Sequence, residues 1–216
     1  MSGIPEKEVL RYLGNAKPDQ GLLLLIRSVS DELRSEIRPA GVSRRMAIAV
    51  SEKATEVGDF RFESAKLAKN LAGCREAFFV AATLGAGADR LLRKYAALDL
   101  PRASVWQAAC AAMLEQYLDD MQETLLPADS GLFLRPRFSP GYGDLDISNQ
   151  RAMFQILDLG RRLGMTLTDG YMMLPEKSVT AIVGIGERRR APGAGCAACP
   201  KTDCASRRDG DAESPR

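Results

Sequence analysis

Apolar positions recur along this chain in two rhythms, one of three to four residues and one of two, and the alternation between them predicts its elements. "PEKEVLRYLG" at 5–14 carries proline where a helix begins, a charged first turn and a closing glycine, so a short helix is expected, followed by a longer one over 18–37. "VSRRMAIAVS" ends in alternating small apolar residues and suits a sheet. "FESAKLAKNLAG" reads as a helix stopped by Gly73, and "REAFFVAATLG" at 75–85 as a buried strand. After Gly85 and Gly87, "ADRLLRKYAAL" returns to helical spacing. Pro101 then opens a long amphipathic helix with Val105, Ala109, Ala112, Met113, Tyr117 and Met121 on one face, a pattern expected of core.

"GLFLRPRF" is expected to run as a strand into a proline turn, "ISNQRAMFQILDLGRRLG" as a helix ending at Gly164, and "KSVTAIVGIG" as an alternating strand. No regular βαβ repeat appears, so the expected class is α+β: a twisted antiparallel sheet with long flanking helices. From Arg188 onward no aliphatic residue is larger than alanine, and Gly, Ala, Pro and charge dominate. Such a segment cannot build a core, so residues 1–187 are expected to form the domain and 188–216 a tail.

Length and charge narrow the use of that domain. At 216 residues with 45% hydrophobic content, one sizeable core is expected. A formal charge of +2 gives no field for capturing nucleic acid, and the longest aliphatic run, "LLLLI" at 22–26, is too short to span a bilayer. "MSGIPEKEVL" lacks a basic and then apolar leader, so a cytoplasmic location is expected, with neither membrane nor nucleic acid as partner. Histidine is absent, which removes Ser-His-Asp and Cys-His catalysis and any histidine base.

The stretch with the most unusual composition is "RPRFSPGYGDL" at 135–145. Its prolines fix φ and disfavour helix in the residues before them, while Gly141 tolerates conformations closed to other residues. An irregular backbone of this kind leaves amides and carbonyls suited to a purine edge. Arg137 is able to grip a carboxylate through two bonds, and Tyr142 to cover a ribose or a sulfonium group. A plain strand-to-helix turn explains the same residues equally well.

Followed some twenty residues later by "GMTLTDGYMMLPEKSVTAIVGI", this stretch resembles the activation domain of cobalamin-dependent methionine synthase, whose signature is an Arg-Pro-x-Pro-Gly-Tyr turn, a Leu-Thr-x-Ser segment and a short Met-x-Pro loop. "GCREAFFVAATLG" and the long helix with "EQYLDD" extend the resemblance over roughly residues 5–187. It implies binding of S-adenosylmethionine and support for the reductive methylation of cob(II)alamin, in a component of a methyltransferase rather than a complete enzyme. By position, Arg137 matches the family's ligand-binding arginine, Ser139 a residue presenting backbone to adenosine, Gly141 and Tyr142 the end of the motif, and Glu115 a ligand-facing carboxylate. Phe138 departs from the motif, and "MMLPEKSV" stands where the family carries a tryptophan-containing loop. No Asp-x-His-x-x-Gly segment is present, so cobalamin must be carried by a partner: methionine synthase or another corrinoid protein, with flavodoxin or ferredoxin as the reducing partner.

"GCAACPKTDC" spaces Cys196, Cys199 and Cys204 as C-x2-C-x4-C, close enough to converge on an iron–sulfur cluster or zinc, with Cys74, Cys110, another subunit or an exogenous ligand completing the set. A metal-free thiol tail is the other reading. A redox or adaptor protein of corrinoid metabolism, passing electrons through this tail without binding S-adenosylmethionine, is the alternative function. "ATLGAGADRLL" matches neither a P-loop nor a dinucleotide fingerprint and reads as a turn, the arginines at 188–190 as a solvated run, and Met172 and Met173 as packing filler or a corrinoid-facing surface.

Overall fold

The computed structural model describes residues 4–14 and 17–187. Its elements run α1 Glu6–Leu13, α2 Gln20–Glu36, β1 Ala40–Ala47, β2 Ala49–Val50, β3 Ala54–Val57, β4 Phe60–Glu63, α3 Ala65–Asn70, β5 Glu76–Thr83, α4 Ala86–Leu98 and α5 Leu100–Glu123. They continue through β6 Phe133–Leu134, a 3₁₀ turn at Ile147–Asn149, α6 Gln150–Leu157, α7 Leu159–Leu163, β7 Thr166–Leu167, β8 Met173–Leu174 and β9 Ser178–Gly186. No helix among the described residues is long and apolar enough to cross a membrane.

The main sheet has the order β1-β5-β9-β6, antiparallel throughout, as the expected α+β class requires. Its central strand β5 is buried on both faces, which is why "AFFVAA" is a continuous apolar run. Phe78 and Val80 point to one side, toward Met121 and the leucines that follow α5, and Ala82 continues that side into the helical layer. Phe79 and Ala81 point to the other side, where Leu67 and Leu71 of α3 meet Met153, Ile156 and Leu157 of α6.

On the first side, α1, α2 and α4 pack around α5, with Trp106 at their centre fully buried and donating from Nε1 to the Ala88 carbonyl at 3.1 Å. Glu32 of α2 ties the layer together by bonding both Tyr95 of α4 and Arg102 of α5. The caps are local: Asp19 accepts from the Leu22 amide, and Asp99 from that of Arg102, with Pro101 in the first turn of α5. Helix α5 lies so close to β1 that a Cβ on Gly41 would sit 2.8 Å from the Tyr117 ring.

Three elements differ from the pattern-based expectation. "FESAKLAKNLAG" is not helical from its start, because Phe62 and Glu63 finish β4 and Ser64 caps the helix by accepting from the Leu67 amide. Strands β3 and β4 form a hairpin around Gly58 and Asp59, Gly58 taking φ +53°. "ISNQRAMFQILDLGRRLG" is broken into α6 and α7 at Asp158, which adopts φ 52°. The predicted strand over 131–138 keeps only two residues of regular ladder, for a reason that concerns the site.

Candidate functional site

Strand β6 pairs with β9 as Phe133 with Gly186 and Leu134 with Ile185. The ladder then advances one step, the Arg135 amide donating to the Gly184 carbonyl at 2.8 Å. A regular strand would next set residue 137 opposite Ile182. Instead Phe138 takes that place, exchanging bonds with Ile182 at 3.0 and 2.8 Å. Three residues therefore span what two span on β9, which is a β-bulge at Pro136–Arg137. Proline is tolerated there because an edge strand at a bulge has no ladder bond for it to donate.

The bulge decides where Arg137 points. Arg135 and Gly184 lie on the α3 side of the sheet, since a Cβ on Gly184 would meet Leu71, Cys74 and the Arg135 side chain. Without the extra residue Arg137 would share that side, against a closed apolar core. With it, Phe138 packs into that core and Arg137 turns to α5. There it donates from Nη2 to Glu115 Oε2 at 2.7 Å, and from Nη1 to Asp119 Oδ1 and Gln122 Oε1, each at 2.7 Å. Glu115, Asp119 and Gln122 stand at i, i+4 and i+7, so one face of α5 supplies all three acceptors.

Beyond the bulge the chain closes a compact turn. The Tyr142 amide donates to the Ser139 carbonyl, the Leu145 amide to the Tyr142 carbonyl and the Gly141 amide to the Leu145 carbonyl. Gly141 and Gly143 take φ +91° and +65°, and a Cβ on Gly143 would press on Lys66 and Phe138, so both positions require glycine. The turn is fastened from outside at two points. Asn70 Nδ2 donates to the Pro136 carbonyl at 3.2 Å. Asp144 accepts from Ser64 Oγ and from the amides of Ala65 and Lys66 at the start of α3. The Ser64 hydroxyl, joined by those amides, holds the Asp144 carboxyl below its ordinary range.

Between the turn, α5 and β9 lies a cavity of about 650 Å³, a size suited to a nucleoside-sized ligand. Its wall includes Glu115, Asp119, Arg137, Ser139 and Tyr142, with Phe138 and Val179 as the apolar part. Four of the five residues expected to bind ligand thus meet in one place. The fifth, Gly141, shapes the backbone beneath Tyr142 and is not part of the wall; a Cβ there would meet Ile147. Arg137 is largely buried, its side chain 17% exposed, whereas Tyr142 is 71% exposed and sits as an outer flap. Asp119 and Gln122 were not among the expected residues. The signal for them was a polar stripe at helical spacing through an otherwise apolar segment.

Arg135, next to the motif, does a different job. Its side chain lies flat over Gly184 and Gly186, and Nη2 donates to the Ala72 carbonyl at 3.3 Å, so it clamps the edge strand to the chain after α3. "ATLGAGADRLL" is a helix start, as expected of a turn, and Asp89 within it is used internally by accepting from the Glu176 amide at 2.8 Å. Met172 is exposed, while Met173 packs toward the α3-side core. Among the described residues no group of three or more Cys, Asp or Glu is placed to hold a metal ion. Cys196, Cys199 and Cys204 lie outside the described residues. Cys74 and Cys110 are free thiols buried in the core.

A sequence model of the vitamin B12 dependent methionine synthase activation domain matches residues 130–191, the segment carrying the bulge, the turn and β9. No curated protein sequence matches at a significant level. Among solved structures, the crystal structure of the MetH reactivation domain bound to AdoHcy superposes with a TM-score of 0.60 at 15% identity, over 79% of this chain and 66% of that one. The sequence over residues 130–191 and the fold over most of the chain therefore both match the activation domain of vitamin B12-dependent methionine synthase.

Proposed function

We propose that this chain binds S-adenosylmethionine in the cavity between α5 and the 139–145 turn, and supports the reductive methylation of cob(II)alamin carried by a corrinoid protein, methionine synthase being the first candidate. One observation carries the reading: within the segment that the family model matches, a bulge delivers Arg137 into a cavity of about 650 Å³ instead of into the core. The solved relative, bound to AdoHcy, holds the demethylated form of the same ligand.

S-adenosylmethionine supplies a methyl group on a sulfonium, and the nucleophile is the reduced corrinoid of the partner, with the electron from a flavodoxin- or ferredoxin-like reductant. The residues here have to bind, orient and shield. Arg137 offers its guanidinium to the methionyl carboxylate, which would take the place of part of its present bonding to Glu115, Asp119 and Gln122. Glu115 and Asp119 stand 2.7 Å from that guanidinium, positioned to receive the ligand's ammonium beside the carboxylate. Tyr142 covers the outer side. No step takes a proton from the ligand, so a chain without histidine lacks nothing for this role.

Calorimetric titration with S-adenosylmethionine tests the reading. A charge-assisted bidentate contact in a partly dry site is worth about 2–3 kcal/mol, so Arg137→Ala should weaken binding by about thirty- to a hundredfold or more. Arg135→Ala, on the opposite side of the sheet, should change affinity by less than about threefold while lowering stability. Equal losses of affinity in the two variants at unchanged thermal stability would overturn the assignment of Arg137. No binding by the parent protein would overturn the function and favour the redox or adaptor alternative.

A further inference from the structure

Three side chains of α5 meet the Arg137 guanidinium, and only one of them has hydrogens of its own to give. Glu115 and Asp119 are carboxylates, which as anions accept and never donate. Gln122 is a carboxamide, with an oxygen at one end and an NH2 group at the other. Which end faces Arg137 follows from the guanidinium, which has five N–H donors and no acceptor. Gln122 Oε1 therefore takes the 2.7 Å bond from Nη1, and Nε2 is turned away from it. Among the described residues Nε2 donates to nothing, although the side chain is half-buried and stands in the cavity wall. The other glutamine on this part of α5 is used within the helix, Gln116 Nε2 donating to Asp120 Oδ1 at 2.7 Å.

We infer that Gln122 is a specificity residue of this cavity, whose Nε2 donates to the same ligand carboxylate that the Arg137 guanidinium grips. The inference rests on the proposed reading of the cavity as an S-adenosylmethionine site and adds to it a second, neutral donor that neither the motif nor the resemblance contains. Oε1 lies 2.7 Å from Nη1, and Nε2 is bonded to the same carbon as Oε1, so a carboxylate bound to that guanidinium comes within reach of Nε2. The bond from Nη1 to Gln122 is the part of the present bonding that stays when the ligand arrives, because it holds the amide in this orientation. A residue needed only to steady Arg137 would hold it more strongly as a carboxylate, as Glu115 and Asp119 do, since an ion pair is the stronger bond. What glutamine alone brings to this face is the donor. A ligand without the carboxylate leaves that donor unpaired, which is how a polar site rejects an analogue.

The side-chain amide signals in a proton–nitrogen correlation spectrum of the isotope-labelled full chain test this directly. The Gln122 pair is the one missing from the spectra of Gln122→Met, which has similar length but neither donor nor acceptor, and of Gln122→Glu, which keeps an acceptor for Nη1 but has no hydrogen to give. Saturating S-adenosylmethionine should move that pair downfield, as a bond to an anion does. Decarboxylated S-adenosylmethionine, which keeps the sulfonium, the ammonium and the adenosine, should leave it in place. In calorimetric titration both variants should bind S-adenosylmethionine about tenfold or more weakly than the parent, the low end for a hydrogen bond to a charged group because Asp119 beside it is 54% exposed. Gln122→Met should bind the decarboxylated form within about twofold of the parent. A pair that stays in place with S-adenosylmethionine bound, or moves equally with both ligands, would overturn the donation to the carboxylate and leave the site standing. Either variant binding S-adenosylmethionine as tightly as the parent would do the same. If the parent binds neither ligand, the site itself falls and this inference with it.

Discussion

Replacing Gly184 with alanine adds one methyl group at the place where the edge strand, α3 and the clamp of Arg135 converge. The new Cβ would stand 2.6 Å from Leu71 Cδ2, 2.9 Å from Cys74 Sγ and 3.0 Å from Arg135 Cγ. Leu71 is fully buried and Cys74 nearly so, so neither can swing away. Overpacking of this kind costs about 1–3 kcal/mol. Alanine returns about 0.5–1 kcal/mol, because glycine in a strand gives up more backbone freedom on folding. The net loss of about 1–2 kcal/mol corresponds, for a domain of this size, to a Tm about 2–8 °C lower. Gly186→Ala is the internal control, since its Cβ would approach only the far end of the Arg135 side chain, at 3.2–3.3 Å, and that end can move. Differential scanning fluorimetry of both variants measures the difference. Two variants of equal Tm, or a Gly184→Ala protein as stable as its parent, would refute the argument that Arg135 lies pressed on Gly184.

Other outcomes follow from single groups. Asp144 has its carboxyl pKa depressed in the fold, so its contribution is present above the ordinary carboxylate range and is lost as pH falls through the folded value; the Tm difference between parent and Asp144→Asn should be largest near neutrality and shrink as pH falls below the ordinary carboxylate range, and a difference that does not change with pH would remove the carboxylate from the account. Burial pushes the Cys110 thiol up to about 12, so iodoacetamide at mildly alkaline pH should leave it unmodified in the native protein and label it after denaturation, as mass spectrometry would show. Cys196, Cys199 and Cys204 are proposed to act together, so that serine at any one of them abolishes bound iron or zinc without changing Tm; parent protein prepared without oxygen and free of stoichiometric metal would end that proposal.

The fold was readable where one rhythm of apolar residues dominated. "AFFVAA" became the central strand, and the face of α5 through Val105, Ala109 and Met113 became core. The hairpin of β3 and β4 escaped because its strands are four residues each, and Phe62 and Glu63 run straight into the helix that Ser64 caps. The break at Asp158 escaped because neither glycine nor proline marks it, and the left-handed conformation falls on an aspartate. In the site, Arg137 and Glu115 came from a motif and a resemblance, whereas Asp119 and Gln122 are polar positions on a helix whose spacing predicts only its apolar face. The bulge was beyond reach from the sequence, because it is a property of two strands together: nothing in "LRPRF" states which residue of β9 it will face.

The bulge also divides the site between two parts of the molecule that are held in place to different degrees. Its carboxylates ride on the 24-residue helix α5, anchored by Trp106 in the core, while its guanidinium rides on a sheet edge with only two residues of regular ladder. Short edges open locally, without global unfolding, and amide hydrogen exchange detects such openings. The amides of Arg135 and Phe138, bound to the carbonyls of Gly184 and Ile182, should therefore exchange faster than those of β5. A ligand that spans Arg137 and α5 fastens the edge to the helix, so its arrival should be recorded in the slowing of two backbone protons on the outermost strand, well before any change in the core.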